Sequence, residues 1–482
     1  ALLDEDKNVV YGEKNEGTDE YKNWKFVSEY DANSSYSMYL KNNATPTSIN
    51  DLKVGIDVGT NTTITTINYT DDDSKDDVRI RTNGGTLNVD AATDTVKHFG
   101  TSDKVVITAV APHSYYENGT VNGNIEIASG RVEIAKDAKV DNVLVTGNNV
   151  KVEFKDKESK TNVIVSDTVD ADKQPEVIGK EFKADEAKVT FVKTFDELKT
   201  AAYSGKVITL GNNIKASKQI FLKDGTMTTD SKEVTIDLNG YTLSYASINP
   251  PYLFALDNGT KLTINGKGRI ETTNRSSIFS INDGTVIIND GEFSAENNDN
   301  SSSLVIMNSS IEGKLVINNG KFISKEVCIG MKKNGNVEIN GGNFISKDNF
   351  VIGSNGNAEY GNNKIVINGG TFNANIESEG YIACGIYAAN NDTWNINGGT
   401  FNITNGCGIL GRSGTVNISK DVKINLFNDE NNPVKGMVGD ANVMVITGAA
   451  IVKDNVANYP GGKPTINNNS NYKVTELNQY EA

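Results

Sequence analysis

Histidine, the side chain best suited to moving protons near neutral pH, occurs only at His98 and His113 among 482 residues. Imidazole acid–base chemistry is therefore excluded from everything after position 113. Carboxylates, tyrosines, lysines and four of the chain's six arginines remain there. Asp71, Asp72, Asp73, Asp76 and Asp77 crowd into DDDSKDD, and calcium takes six to eight oxygens, so this run could contribute several ligands. Its spacing matches no EF-hand loop, and acidic runs are commonly solvated tips. The expectation is therefore no cofactor, with calcium as the one metal such a run could serve. A second group lies in the later half of the chain, where Asp348, Tyr360, Glu379, Tyr381, Tyr387 and Arg412 stand near Lys332 and Lys333. Tyrosines beside carboxylates suit a neutral or amino sugar, because an aromatic ring covers a sugar face while polar tips hold hydroxyls. The competing reading is ordinary solvated loops with a few tyrosines covering a core. No two of these residues fall in a spacing that defines a catalytic pair.

The elements that must position this second group announce themselves by repetition. VIINDGEF at 286, LVINNGKF at 315, VEINGGNF at 337, IVINGGTF at 365 and WNINGGTF at 394 are copies of one string. Their phenylalanines, Phe293, Phe322, Phe344, Phe372 and Phe401, are 29, 22, 28 and 29 residues apart, a solenoid period. Within a copy, Val-x-Ile alternates as a half-buried strand. Asn-Gly-Gly then needs positive φ, which Gly accepts freely and Asn better than most, so a sharp bend is expected there. A second strand carries the Phe, and after a variable loop comes a third apolar run: IFSI at 278, LVIM at 304, VCIG at 327, FVIG at 350, CGIY at 384 and GILG at 408. Three strands per coil describe a parallel β-helix. Stacked coils would place Asn265, Asn289, Asn318, Asn340, Asn368, Asn397 and Asn417 above one another at about 4.8 Å. Amides at that spacing can bond as a ladder, or each can simply satisfy its own turn.

Bulk properties agree with a thin solenoid. Apolar residues make up 37% and aromatics 7% of the chain, low for a globular core. The formal charge of -15 opposes nucleic acid and anionic membrane as partners. No stretch reaches the apolar length of a membrane span, and ALLDEDKNVV is not a signal peptide, so a mature or trimmed chain is expected. Scarce Arg beside abundant Lys, Asn and Ile points to a bacterial protein from an AT-rich genome. Three cysteines make no disulfide framework. Cys384 and Cys407 each stand two residues before an Ile, Ile386 and Ile409, and so share a register on neighbouring coils. A bridge between them and a pair of buried free thiols are both open.

Along the chain, residues 1–51 are polar and carry Tyr21, Trp24, Phe26, Tyr30, Tyr36 and Tyr39 among charges, which reads as an irregular arm or cap. Short alternating strands with Gly and Asn punctuation over 52–168 read as a smaller solenoid. The charged stretch 169–187 reads as a linker, and 188–482 as the main parallel β-helix. Its opening, KTFDELKTAAYSGKVITL at 193, predicts a helix over 194–204: Thr194 and Glu197 form a capping box, Phe195, Leu198 and Ala202 share a face, and Gly205 stops it. Such a helix would cover strand edges that otherwise invite association.

This capping helix, the Gly-x-x-Ile-x-Leu strand after it and the IDLNGYTL coil at 236 resemble the start of right-handed parallel β-helix proteins of the pectin-lyase-like superfamily. The likeness is strongest to surface proteins of Gram-positive gut bacteria, and it covers roughly 190–450. It implies an all-β, right-handed parallel β-helix whose groove along the third strand holds glycans. Members include lyases, hydrolases, adhesins and phage spikes, so fold alone does not give activity. Of the strings that mark the polygalacturonases, Asp-Asp, Gly-His-Gly and Arg-x-Lys do not occur between 190 and 450, and Asn-x-Asp occurs only as Asn297-Asn298-Asp299 and Asn390-Asn391-Asp392, without the others beside it. IDVGTNTT at 56 resembles the phosphate loop of actin-like ATPases and sugar kinases, but such a loop needs an α/β scaffold, and here the flanks alternate as strands. The expectation is an extracellular, secreted or cell-surface protein that adheres to a glycan or to a host or bacterial surface protein without catalysis or membrane insertion. The alternatives are a polysaccharide lyase or glycoside hydrolase on the same groove, or a phage receptor-binding spike.

Overall fold

Alternation makes the strands. Asp77–Asn83 buries Val78, Ile80 and Thr82 and exposes Asp77, Arg79 and Arg81 between them, which is the period-two pattern of a half-buried strand. The computed structural model is an all-β parallel solenoid, 57% strand and 3% helix, with sheets not closed into a barrel. It describes residues 48–70, 77–110, 115–184, 188–223, 225–228, 232–296, 303–354, 356–375, 384–427, 449–455 and 459–477, with short strands at 2–3, 9–10, 25–26, 28–29 and 38–40. Asp71, Asp72, Asp73, Asp76, His113, Tyr21, Trp24, Tyr30, Tyr36, Glu379 and Tyr381 lie outside them. The chain forms two compact units, 1–191 and 192–482.

The first unit winds two strands per coil. One parallel ladder runs through Met38–Leu40, Ile56–Val58, Asp77–Asn83, Thr95–Ser102, Tyr115–Glu117, Arg131–Ile134, Lys151–Phe154 and Glu176–Ile178. The other runs from Ser48–Leu52 through Thr66–Tyr69, Thr86–Ala91, Lys104–Val110, Thr120–Ile127 and Lys139–Val145 to Asn162–Ser166. Two stretches differ from the sequence reading. The arm 1–51 supplies the first strand of each ladder, and the linker 169–187 supplies Glu176–Ile178, which pairs with Lys151–Phe154. Strands this short carry too few alternations to stand out from charged surroundings. The IDVGTNTT string ends the strand Ile56–Val58 and turns, with Thr62 N–H donating to the Gly59 carbonyl at 2.9 Å.

The second unit opens with the helix Phe195–Tyr203. Thr194 Oγ1 accepts from the Glu197 N–H at 3.3 Å while the Glu197 carboxylate accepts from the Thr194 N–H at 3.0 Å, and Phe195, Leu198, Ala201 and Ala202 face the core. Three parallel sheets follow. The Asn sheet begins at Val207–Leu210, Glu233–Asp237 and Thr260–Asn265. The Phe sheet has nine strands from Ile214–Ala216 to Lys423–Phe427. The third sheet runs through Ile220–Leu222, Tyr252–Leu256, Ser277–Ile281, Ile352–Ser354, Cys384–Ala388, Cys407–Gly411, Ile451–Asp454 and Val474–Leu477. In two coils its strand continues unbroken into the next Asn-sheet strand, as Val305–Ile317 and Ile329–Ile339.

Phe293, Phe322, Phe344, Phe372 and Phe401 pair as register partners and are fully buried. Their rings stack near-parallel with centroids 4.9, 4.6, 4.9 and 4.7 Å apart. Beside them the asparagine ladder is continuous. Asn289 donates to Asn265 at 2.7 Å, Asn318 to Asn289 at 2.7 Å, Asn340 to Asn318 at 3.0 Å, Asn368 to Asn340 at 2.8 Å and Asn397 to Asn368 at 2.9 Å.

Asn417 is not the next rung. Trp394 pairs with Val416 and Ile396 with Ile418, so Asn417 aligns with Asn395, to which it donates at 2.9 Å, and Ser419 follows in the Asn397 row. The ladder asparagines also do not take the positive φ expected of them. It falls on the second glycine of the bend, with Gly342 at +105° and Gly370 at +104°. The first glycine is needed for a different reason: a Cβ at Gly341 would stand 2.7 Å from the Asn318 carbonyl of the preceding coil.

Candidate functional site

The corner into the third sheet breaks the alternation. Two consecutive residues turn inward in each coil, as in Leu253–Phe254, Ile278–Phe279, Leu304–Val305, Cys328–Ile329 and Val351–Ile352, all buried in one core. The residue before each pair is thereby pushed onto the outer face, which gives a rim of Tyr252, Ser277, Ser303, Val327 and Phe350. The backbone agrees with this register, since Leu304 N–H donates to the Val327 carbonyl and Val351 N–H to the Cys384 carbonyl. Beside the rim runs a second outward column, Ala255, Ser280, Ile306, Gly330, Gly353, Tyr387, Leu410 and Val452, each the register partner of the next.

Where that column thins to glycine the sheet carries a cleft of about 410 Å³. Ile306, Gly330 and Gly353 form its floor, and Tyr252, Arg275, Lys332 and Phe350 stand around it with the Ser277 and Ser303 hydroxyls. Neither glycine has room for a side chain. A Cβ at Gly330 would lie 2.4 Å from Ser303 Oγ, and one at Gly353 2.6 Å from the Phe350 ring and 2.8 Å from Tyr387 Cβ. Phe350 tilts against Tyr387 with ring centroids 5.0 Å apart, closing one end. Arg275 holds a φ of +64°, a left-handed conformation uncommon for a long side chain. The described lining contains two cations, no carboxylate and no histidine.

Beyond Phe350 the same outer face is closed. Cys384, Tyr387, Ala389, Cys407, Leu410, Ala449 and Val452 form a separate apolar cluster, with Phe350 and Tyr459 packed on it. Tyr387 and Arg412, expected to meet ligand, meet each other inside it. The Tyr387 hydroxyl is 2.8 Å from that of Tyr459 and accepts from Arg412 Nη1 at 3.3 Å. Arg412 is fully buried, its Nε 3.1 Å from Asp454 Oδ2 and its guanidinium 4.3 Å from the Tyr459 ring centre. Burial raises the Tyr387 phenol far above its ordinary range, against the opposing charge of Arg412, so it stays neutral. This pair is an internal clamp that holds the segment around Tyr459 to the sheet.

Tyr360 flanks the cleft through Lys332, whose Nζ is 5.8 Å from its ring centre. Asp348 sits in the bend after Asn343–Ser346 and is not part of the cleft wall. Tyr252, Arg275, Ser303 and Phe350 were not legible as site residues, because FVIG reads as one buried run unless the broken alternation at the corner is known.

The first unit holds the arrangement closest to catalytic geometry. His98 Nδ1 lies 2.8 Å from Glu117 Oε2, and His98 Nε2 lies 2.7 Å from Thr82 Oγ1 and 3.1 Å from Ser102 Oγ. Tyr115 donates to Glu117 at 3.0 Å, and burial, the Glu117 charge and this bond together raise the Tyr115 phenol far above its usual range. Hydroxyl, imidazole and carboxylate stand in the order of a nucleophile relay. However, His98, Glu117, Ser102 and Tyr115 are all 0% exposed, so no substrate reaches them and the network is part of the core.

Among the described residues no group of three or more His, Cys, Asp or Glu is placed to hold a metal ion, and no helix is long and apolar enough to cross a membrane. Set against family models, curated proteins and solved structures, the chain matches none of them significantly.

Proposed function

We propose that the second unit is the binding body of a secreted or cell-surface adhesion protein, and that its third-sheet cleft takes one ring of a glycan without transforming it. The observation that carries this reading is the glycine floor between aromatic walls. Because Gly330 and Gly353 carry no side chains, Ser303 and the Phe350 ring lie close against the strand, and Tyr252 and Phe350 offer faces while Ser277 and Ser303 offer hydroxyls. The volume falls within the roughly 300–1,000 Å³ typical of ligand clefts. Arg275 and Lys332 favour a sugar bearing a carboxylate or sulfate over the neutral or amino sugar suggested by the loop carboxylates. The likeness of the opening coil to surface proteins of the pectin-lyase-like superfamily supports the extracellular setting. A hydrolase or lyase needs a proton-moving group at the reacting centre, and the described lining offers only lysine, arginine, one tyrosine and serines for that task.

The test is the purified chain on a glycan array together with a panel of uronic-acid and neutral polysaccharides, with and without calcium. Weak, saturable binding that is strongest for acidic glycans and accompanied by no turnover is expected. Unsaturated uronide absorbance or new reducing ends, abolished by one substitution in the cleft, would replace this reading with an enzymatic one.

A further inference from the structure

Past Phe350 the rim column continues as Cys384, Cys407 and Ala449, and the two cysteines are register partners on adjacent coils. Their direction is set by the glycine after each. A Cβ at Gly385 would lie 2.5 Å from the Phe401 ring and one at Gly408 2.6 Å from Ile424 Cγ2, so those positions face the core and the cysteines face the outer cluster. In-register residues on adjacent strands have Cα atoms about 4.8 Å apart, and disulfides form at Cα separations of about 4.4–6.8 Å. Both thiols are buried, at 0% and 2% exposure. Cys328, the remaining cysteine, stands apart in the inner core with its Sγ 3.4 Å from the Ile345 carbonyl.

We propose that Cys384 and Cys407 are a cross-linking site, joined into an inter-coil disulfide by thiol–disulfide exchange with a small-molecule disulfide while the coils assemble. The Cys384 thiolate attacks one sulfur of the small disulfide and expels a thiol. The Cys407 thiolate then attacks Cys384 Sγ in the mixed disulfide and expels the second thiol. The two cysteines lose two electrons and two protons, and the small disulfide becomes two thiols. Timing follows from burial, which raises the Cys384 thiol well above its usual range and would make exchange slow once the cluster has closed. The bond would tie together the coils that bear Tyr387 and Leu410 and so stiffen the closed end of the outer face. This inference stands independently of what the cleft binds.

The experiment refolds the full chain from denaturant in a glutathione redox buffer and, in parallel, under dithiothreitol. Thiols are then titrated in denaturant, and a non-reducing peptide map locates any link. Cys328→Ser keeps only the pair, and Cys407→Ala removes one partner. In redox buffer the accessible thiols should fall from three to one, with the Cys384 and Cys407 peptides linked and Cys328 free. The linked form should unfold at higher denaturant than the reduced form, a shift that dithiothreitol reverses and Cys407→Ala lacks. Three free thiols after oxidative refolding, a link through Cys328, or glutathione adducts in place of the link would each overturn the proposal.

Discussion

Asn340 accepts from Asn368 and donates to Asn318, so it joins two links of the ladder, whereas Asn397 ends it with one. Because Asn340 does not carry the positive φ of its bend, Asn340→Leu removes the amide links without backbone strain. These links are exposed, and each hydrogen bond of this kind contributes about 0.5–1.5 kcal/mol. Asn340→Leu should therefore cost about twice what Asn397→Leu costs in urea unfolding. Equal losses would reduce the asparagines to turn formers. Much of this row was legible, since Asn289 through Asn397 and the five phenylalanines share one string. Asn417 was misplaced because VNIS lacks the Gly-Gly that sets the phase of every better copy, and only the pairing of Ile396 with Ile418 restores it.

At the scale of one element, the third-sheet corner carries both the fold and the candidate site. Its paired inward residues were invisible in sequence, because two adjacent apolar residues read equally as a buried strand of either parity. Phe350 is the residue on which this difference turns. Phe350→Ala should weaken glycan binding about tenfold, as loss of a stacking face of roughly 1–1.5 kcal/mol implies. The thermal transition should move far less than for a core phenylalanine. A variant that loses stability like Phe344→Ala yet binds normally would return Phe350 to the core.

The loop side of the Phe sheet makes a pH prediction. Lys347 bonds to Glu296 at 2.9 Å and Arg269 approaches it at 3.3 Å, and these contacts, Lys347 first, hold the carboxyl below its usual range. A lowered folded pKa means stability present above the unfolded value, about 4.3, and lost as pH falls through the folded one. The gap between the native chain and Glu296→Gln should thus be present at neutral pH and close in acid. A gap that widens in acid would contradict the assignment.

For the whole molecule, the two units solve one problem with different coils. The first uses two strands per coil and fills its interior partly with the Thr82–His98–Glu117 network. The second uses three strands and fills its interior with the phenylalanine stack. Each has its own hydrophobic core, and a solenoid distributes stability over nearest-neighbour coils, so damage in one core should be felt in that core. Phe344→Ala leaves a cavity between stacked rings and should cost about 3–5 kcal/mol. Glu117→Ala strips His98 and Tyr115 of their shared buried partner and should cost about 1–3 kcal/mol for each buried donor left unpaired. Calorimetry should then show two transitions, one lowered by Glu117→Ala alone and the other by Phe344→Ala alone. Residues 192–482 expressed separately should keep only the second. One transition that both substitutions lower equally would mean that the two cores unfold as one cooperative body, and the division at residue 191 would describe geometry without energetic meaning.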